Sequence, residues 1–122
     1  MPEPIREVLP AQSRLRDSNL LATTVRRGSR AGRRFIVVHY LPRSTEGPDG
    51  PPKVGFAVSK AVGGSVVRHR VVRRLRHVVA AHLSELPDGS SVVVRALPSA
   101  ASASSVDLDL DLSALLPRLV GP

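Results

Sequence analysis

Cysteine is absent from the 122 residues. The chain therefore has no disulfide framework, no thiolate metal ligand and no cysteine nucleophile, which fits a reducing compartment. Tryptophan is also absent, and one tyrosine and two phenylalanines supply all the aromatic rings. No apolar run exceeds a few residues, far short of the roughly 20 that cross a bilayer. No amphipathic stretch carries the large aromatic anchors of a membrane-surface helix. The opening residues, MPEPIREVLP, lack the basic-then-apolar order of a signal peptide. Their prolines and glutamates predict a flexible tail over residues 1–12. These absences point to a cytoplasmic protein with no membrane partner. Acidic residues are missing too, over the whole interval between Asp49 and Glu85.

What is present is positive charge. Lysine plus arginine number 18 against 10 acids, for a net charge of +8. Only Lys53 and Lys60 are lysines; the other cations are arginines. Arginine presents a planar fork that matches phosphate and stacks on bases. The late acids gather at Glu85, Asp88, Asp107, Asp109 and Asp111, so the charge is polarised and implies one basic surface. An anionic polymer, nucleic acid before membrane, is the expected partner.

Residues 17–27, DSNLLATTVRR, read as a short helix. Asp17 or Ser18 caps its start, Leu21 and Val25 stand at i and i+4, and Gly28 stops it. RFIVVHYL, 34–41, is β-branched and aromatic and reads as a strand. Alternation puts Phe35, Val37, His39 and Leu41 on one face, and Ile36, Val38 and Tyr40 on the other. Breakers fill 42–52, the expected mobile loop. KVGFAVSK, 53–60, is a second strand, expected antiparallel to the first. A helix over 65–86 is ended by PDG at 87–89, and SSVVVRAL, 90–97, is a third strand. The last segment carries two periods at once. Val106 to Leu112 alternates as a strand does, whereas Leu108, Leu112, Leu115 and Leu119 form a helical stripe behind a serine run and Asp107. The helical reading is adopted, ending near Pro117. The class is α+β, one sheet packed with helices, in a single domain over 13–120.

The densest charge lies in VVRHRVVRRLRHVV, residues 66–79. At 100° per residue, Val67, Val71, Leu75, Val78 and Leu86 share one face, with Val72 and Val79 at its border. His69, Arg70, Arg73, Arg76 and His77 fall opposite, and Arg74 lies at an edge. Such a helix seats one stripe in a core and offers the other to a partner. With no acid at i±4 these cations repel one another, a cost that a polyanion removes. Arg68 alone points to the apolar side. It is expected to escape past the sheet edge toward Lys60 and the Gly63–Gly64 turn. Glycines there permit close backbone approach, and free N–H groups at a helix start favour an anion. A phosphate site at Lys60, Gly63, Gly64 and Arg68 is one reading, and an ordinary glycine turn is the other.

No catalytic constellation accompanies this charge. HExxH, GxSxG and a paired-carboxylate helix face are all absent. His82 falls on the apolar side of its helix and is expected to pack there, and His39 on its strand likewise. Asp107, Asp109 and Asp111 could hold a metal, but a solvated helix N-terminus explains them as well.

KVGFAVSKAVGGSVVRHRVVRRLR, 53–76, resembles the signature of the bacterial ribonuclease P protein family: a strand ending in SK, a glycine turn, then a basic helix opened by RNR. SRLR at 13–16, Gly28 and VVVRALPSA at 92–100 match in order and spacing, so the resemblance covers roughly 12–119. It implies the order α-β-β-β-α-β-α, a mixed sheet of about four strands, and a left-handed βαβ crossover that the usual handedness rule does not predict. It also implies a subunit without catalytic residues or a metal of its own. Magnesium is then held by the RNA subunit and the RNA–protein complex. The expected partners are ribonuclease P RNA and precursor tRNA, with the protein a monomer in a one-to-one holoenzyme that removes the 5′ leader. RNA contacts are expected at Lys60, Arg68, His69, Arg70, Arg73, Arg74, Arg76 and His77. A leader cleft is expected at Leu21, Val25, Val37 and His39. His69 stands where the family has asparagine, Val72 where lysine is usual, and Ala61 and Gly64 where lysine and asparagine are common. Leu21 and Val25 replace frequent phenylalanines, keeping apolar contact without stacking.

Two further classes use the same residues differently. A non-catalytic RNA chaperone or ribosome-associated protein would use the basic helix with no preference for a 5′ leader. A metal-dependent nuclease would use Asp107 to Asp111 and cleave without an RNA subunit.

Overall fold

A computed structural model describes residues 9–42 and 50–121. Helix α1 (Ser18–Arg27) is followed by strands β1 (Ser29–Gly32), β2 (Ile36–Leu41) and β3 (Lys53–Ala57), helix α2 (Ser65–His82), strand β4 (Ser91–Ala96) and helix α3 (Ser105–Val120). The order α-β-β-β-α-β-α and the four strands are those the resemblance implies. The short strand β1 has no apolar pattern of its own to mark it.

The sheet order is β1-β2-β4-β3, with β4 antiparallel to β2 and parallel to β3. The expected antiparallel pairing of 34–41 with 53–60 is thus corrected: β4 lies between them. Its Val92, Val93 and Val94 are all buried, and the strand that is apolar on both faces belongs in the centre. Lys53 and Gly55 suit β3 to an edge. That edge is partly covered, because Leu15 N–H donates to the Val54 carbonyl at 2.9 Å and Arg14 bridges Val54 in parallel.

α2 and α3 cover one face of the sheet. Val71, Leu75, Val78, Val79, Leu108, Leu112 and Leu115 pack there with Ile36, Val38, Tyr40, Val54, Val92 and Val94. α1 lies across β4 and β2 on the other face, and its Thr24 is buried. Asp17 caps α1, its Oδ1 accepting from the N–H of Asn19 at 2.9 Å. Gly28 ends α1 in extended backbone, so its role is space rather than a left-handed turn. A Cβ there would stand 2.5 Å from the Thr24 carbonyl oxygen and 2.6 Å from that of Tyr40.

Several boundaries move. Leu9 is buried in the core and Ala11–Ser13 forms a 3-10 turn, so the tail expected over 1–12 does not reach that far; residues 1–8 lie outside the described residues. Residues 43–49 of the expected 42–52 loop also lie outside them. α2 stops at His82, and Leu86 follows a 3-10 turn at Leu83–Glu85 yet remains buried. The segment 106–112 is helical, opened by a capping box between Ser104 and Asp107. α3 runs past Pro117 to Val120, beyond its expected end. The ring removes only the N–H that would bond the carbonyl of Ser113, an exposed residue.

His82 ties α2 to α3. Its Nε2 lies 2.6 Å from Asp109 Oδ1, and its Nδ1 meets Glu85 Oε2. Burial pulls its pKa down, but the hydrogen bonds and charges of Asp109 and Glu85 outweigh this, and the net shift is upward. His39 is shifted the other way, by burial first and then by the charges of Arg95 and Arg30. A raised pKa contributes stability below the unfolded value of about 6.5 that is lost as pH rises through the folded one. A lowered pKa contributes stability above about 6.5 that is lost as pH falls. The melting temperature should therefore peak close to pH 6.5 as far as these two groups govern it. In His82→Gln the alkaline decline should shrink while the acidic one persists. An unchanged alkaline limb would show that the clamp does not titrate.

Candidate nucleic-acid interface

α2 presents its cations beside the β3 edge, where a cavity of about 880 Å³ opens. Leu9, Phe56, Val58 and Val72 form its apolar lining; Arg14, Arg68, Arg73 and Arg76 supply the charge with His69 and His77 beside them, and no acid lines it among the described residues. A second cavity of about 310 Å³ adjoins it, sharing Arg14, Phe56, Val72 and Arg76 and reaching Arg16, Leu21 and Gly55 under α1. Gly55 is the close-approach point: a Cβ there would stand 3.3 Å from Leu15 Cβ and from Leu21 Cδ1. The two cavities form one cationic surface that passes round the β3 edge from α2 to α1.

The expected stripe divides into two groups. His69, Arg73, Arg76 and His77 are exposed and line the cavity. Arg70 and Arg74 are half-buried and turned inward. Arg70 Nη2 donates to the Ala101 carbonyl at 3.0 Å, and Arg74 Nη1 to that of Ala103 at 2.8 Å. Each guanidinium thus has one donor engaged by the 98–103 segment against α2, while Arg70 also lines a surface cavity with Ser65, Val66, His69 and Arg73. A helical wheel cannot register this, because the carbonyls they meet lie about 30 residues away. Arg68 lines the cavity with Leu9, Arg14 and Phe56, and Lys60 and the Gly63–Gly64 turn expected beside it are not part of that lining. Arg68 is half-buried, and its Nε is buried without a hydrogen-bond partner.

Lys60 is exposed in the turn before α2 and does not line the cavity. Gly63 has a structural explanation: a Cβ would stand 2.9 Å from Val67 Cβ. Gly64 caps α2 with open space about it.

The four expected cleft residues also separate. Leu21 lines the second cavity, and Val25 is 40% exposed on α1. His39 is only 2% exposed, beneath α1 with neither ring nitrogen hydrogen-bonded, so it is no surface contact. Cross-strand register puts Val37 in a row with Gly32, Arg95 and Ala57 on the α1 side of the sheet. In that row Arg95 is the exposed residue of an otherwise buried strand. Residue-by-residue reading passed over Arg14, Arg16, Phe56 and Arg95. The signal for Arg95 was a lone arginine inside a valine run; the others reveal themselves only when the N-terminal segment lies along β3.

The late aspartates are each occupied. Asp107 closes the capping box, Asp109 holds His82, and buried Asp111 accepts the Phe35 N–H at 2.7 Å with Arg33 at 3.7 Å. They point three ways, which removes the basis for a metal nuclease. Among the described residues no three His, Cys, Asp or Glu side chains come together as metal ligands.

Comparison with known proteins gives the family and the fold. A family model described as ribonuclease P matches residues 9–120. The chain is 54% identical over 119 residues to the ribonuclease P protein component of Streptomyces bikiniensis, covering 93% of this chain and 97% of that one. It is 49% identical over 115 residues to that of Corynebacterium diphtheriae, covering 92% and 97%. Among solved structures, the RNase P protein of Staphylococcus aureus superimposes with a TM-score of 0.73 at 22% identity, covering 87% of this chain and 94% of that one. That of Thermotoga maritima gives 0.73 at 19% identity, covering 88% and 98%.

Proposed function

The chain belongs to the ribonuclease P protein family, and from that premise we propose that its two adjoining cavities bind RNA around the β3 edge. Its role is that of the protein subunit of ribonuclease P, with the RNA subunit as its partner. The observation that carries the proposed binding surface is the run of Arg68, Arg73, Arg76 and Arg14 over an apolar floor, with no acid in the lining among the described residues. In this reading the α2 side contacts the RNA subunit. The α1 side, with Leu21, Val37 and Arg95, receives the single-stranded 5′ leader of precursor tRNA. One protein serves one RNA in the cytoplasm. Magnesium resides on the RNA and the RNA–protein complex, because a cavity lined by arginines does not fit a cation. The chain's own contribution is to neutralise phosphates and position the substrate strand.

Reconstitution tests this directly. The protein alone should cleave no precursor tRNA, and adding it to the cognate RNA subunit should lower the magnesium or salt needed for cleavage. An unaltered requirement would refute the reading. Arg95→Gln should weaken holoenzyme binding of long-leader precursor by about 5-fold at 0.15 M salt, as one lost phosphate contact does. Affinity for the RNA subunit should not change. An equal effect on a leaderless substrate would move the leader away from Arg95.

A further inference from the structure

We infer that the cavity between β3 and α2 is a nucleotide pocket, taking one unpaired base against Phe56 and its phosphate on Arg68. This deepens the RNA-binding reading above by naming how one part of that surface binds. Bare phosphate binding needs only a cationic rim, whereas this site has a large apolar floor as well. Leu9, Phe56, Val58 and Val72 line the same cavity as Arg14, Arg68, Arg73 and Arg76. A volume of about 880 Å³ is within the range of pockets that enclose small molecules, and it exceeds what a phosphate needs. Phe56 is the one aromatic residue lining it, and it lines the adjoining cavity too. The pocket's lining otherwise lacks any ring but those of His69 and His77.

Arg68 supplies the second, independent observation. Its Nε is buried without a partner, though a buried unpaired N–H costs free energy. It lines the same cavity, where no carboxylate stands among the described residues. A ligand able to meet both features carries a flat apolar face and an anionic oxygen a short distance away. A nucleoside monophosphate unit has that chemistry, and base–aromatic stacking accepts any base. The arrangement also accounts for an arginine on the apolar side of α2. Arg68 must be near enough to the floor to reach the phosphate of a base that is already seated.

Titration of the full-length protein with adenosine 5′-monophosphate and with ribose 5-phosphate, followed by NMR of the Phe56 ring and Arg68 Nε–H, tests this. The nucleotide should bind about 10-fold or more tighter than the sugar phosphate and shift both signals. Phe56→Leu should reduce the difference to near parity, and Arg68→Gln should weaken both ligands alike. Equal affinity of the two ligands for the wild-type protein would reduce the cavity to an anion groove and overturn the inference. Nucleotide binding that neither substitution alters, or no binding at millimolar concentration, would do the same. In the holoenzyme, Phe56→Leu should raise the Kd for precursor tRNA if the base comes from the substrate. It should instead weaken protein–RNA subunit assembly if the base comes from the subunit. No change in either overturns the inference, while magnesium-sparing by the wild-type protein would still uphold the broader RNA-binding role.

Discussion

Replacing Arg73 and Arg76 together by glutamine should lower the affinity for ribonuclease P RNA by about 20-fold at 0.15 M salt. The figure follows from two phosphate contacts, each releasing roughly 0.8 counterions. The slope of log affinity against log salt should flatten by about 1.4 to 1.8. Both side chains are exposed on the cavity rim, and neither has an acid partner among the described residues, so the folded state should barely change. Arg74→Gln is the internal control. Its guanidinium already donates to the Ala103 carbonyl at 2.8 Å, so its loss should lower stability by about 1.5 to 3 kcal/mol and leave the slope nearly intact. Salt titrations of binding, paired with thermal melts, separate the two effects. A slope flattened equally by Arg74→Gln would mean that the wheel, and not the tertiary contact, describes that residue.

Gly28→Ala should destabilise the protein by about 3 kcal/mol, the upper end of ordinary overpacking. The added methyl would meet the Thr24 and Tyr40 carbonyl oxygens at 2.5 and 2.6 Å. Both obstacles are backbone atoms, one in the last turn of α1 and one in β2, so no side-chain rotation relieves the contact. The Gly28 N–H also donates to the Thr24 carbonyl at 2.9 Å, and displacing the residue would strain that bond. For a domain of this size the melting temperature should fall by roughly 10 °C. A loss under about 1 kcal/mol would show that α1 can lift from the sheet cheaply, and the cavity beneath Leu21 would then be adjustable rather than fixed.

Much of the candidate surface is legible along the chain. The wheel separates Val71, Leu75 and Val78 from Arg73 and Arg76, and burial agrees. Alternation places Ile36, Val38 and Tyr40 on the core face of β2, and the Ser104–Asp107 capping box marks the start of α3. These signals are local: each depends on residues within a turn or two, so a single segment contains all the information needed to read them.

What the sequence by itself determined, then, is the α+β class, the basic helix and which stripe of it seeks a core, and a family signature across residues 53–76. Only the tertiary structure decided that β4 enters between β2 and β3, that Arg70 and Arg74 turn to the carbonyls of Ala101 and Ala103, and that α1 buries His39. It likewise decided that the aspartates at 107, 109 and 111 serve three different partners. Periodicity states which way a side chain leaves its own element. What covers that side depends on contacts between segments far apart in sequence, and here those contacts engage side chains that a helical wheel leaves without partners. Arg68 and Phe56 lie well separated along the chain, and only the packing of α2 beside the β3 edge brings them into one cavity.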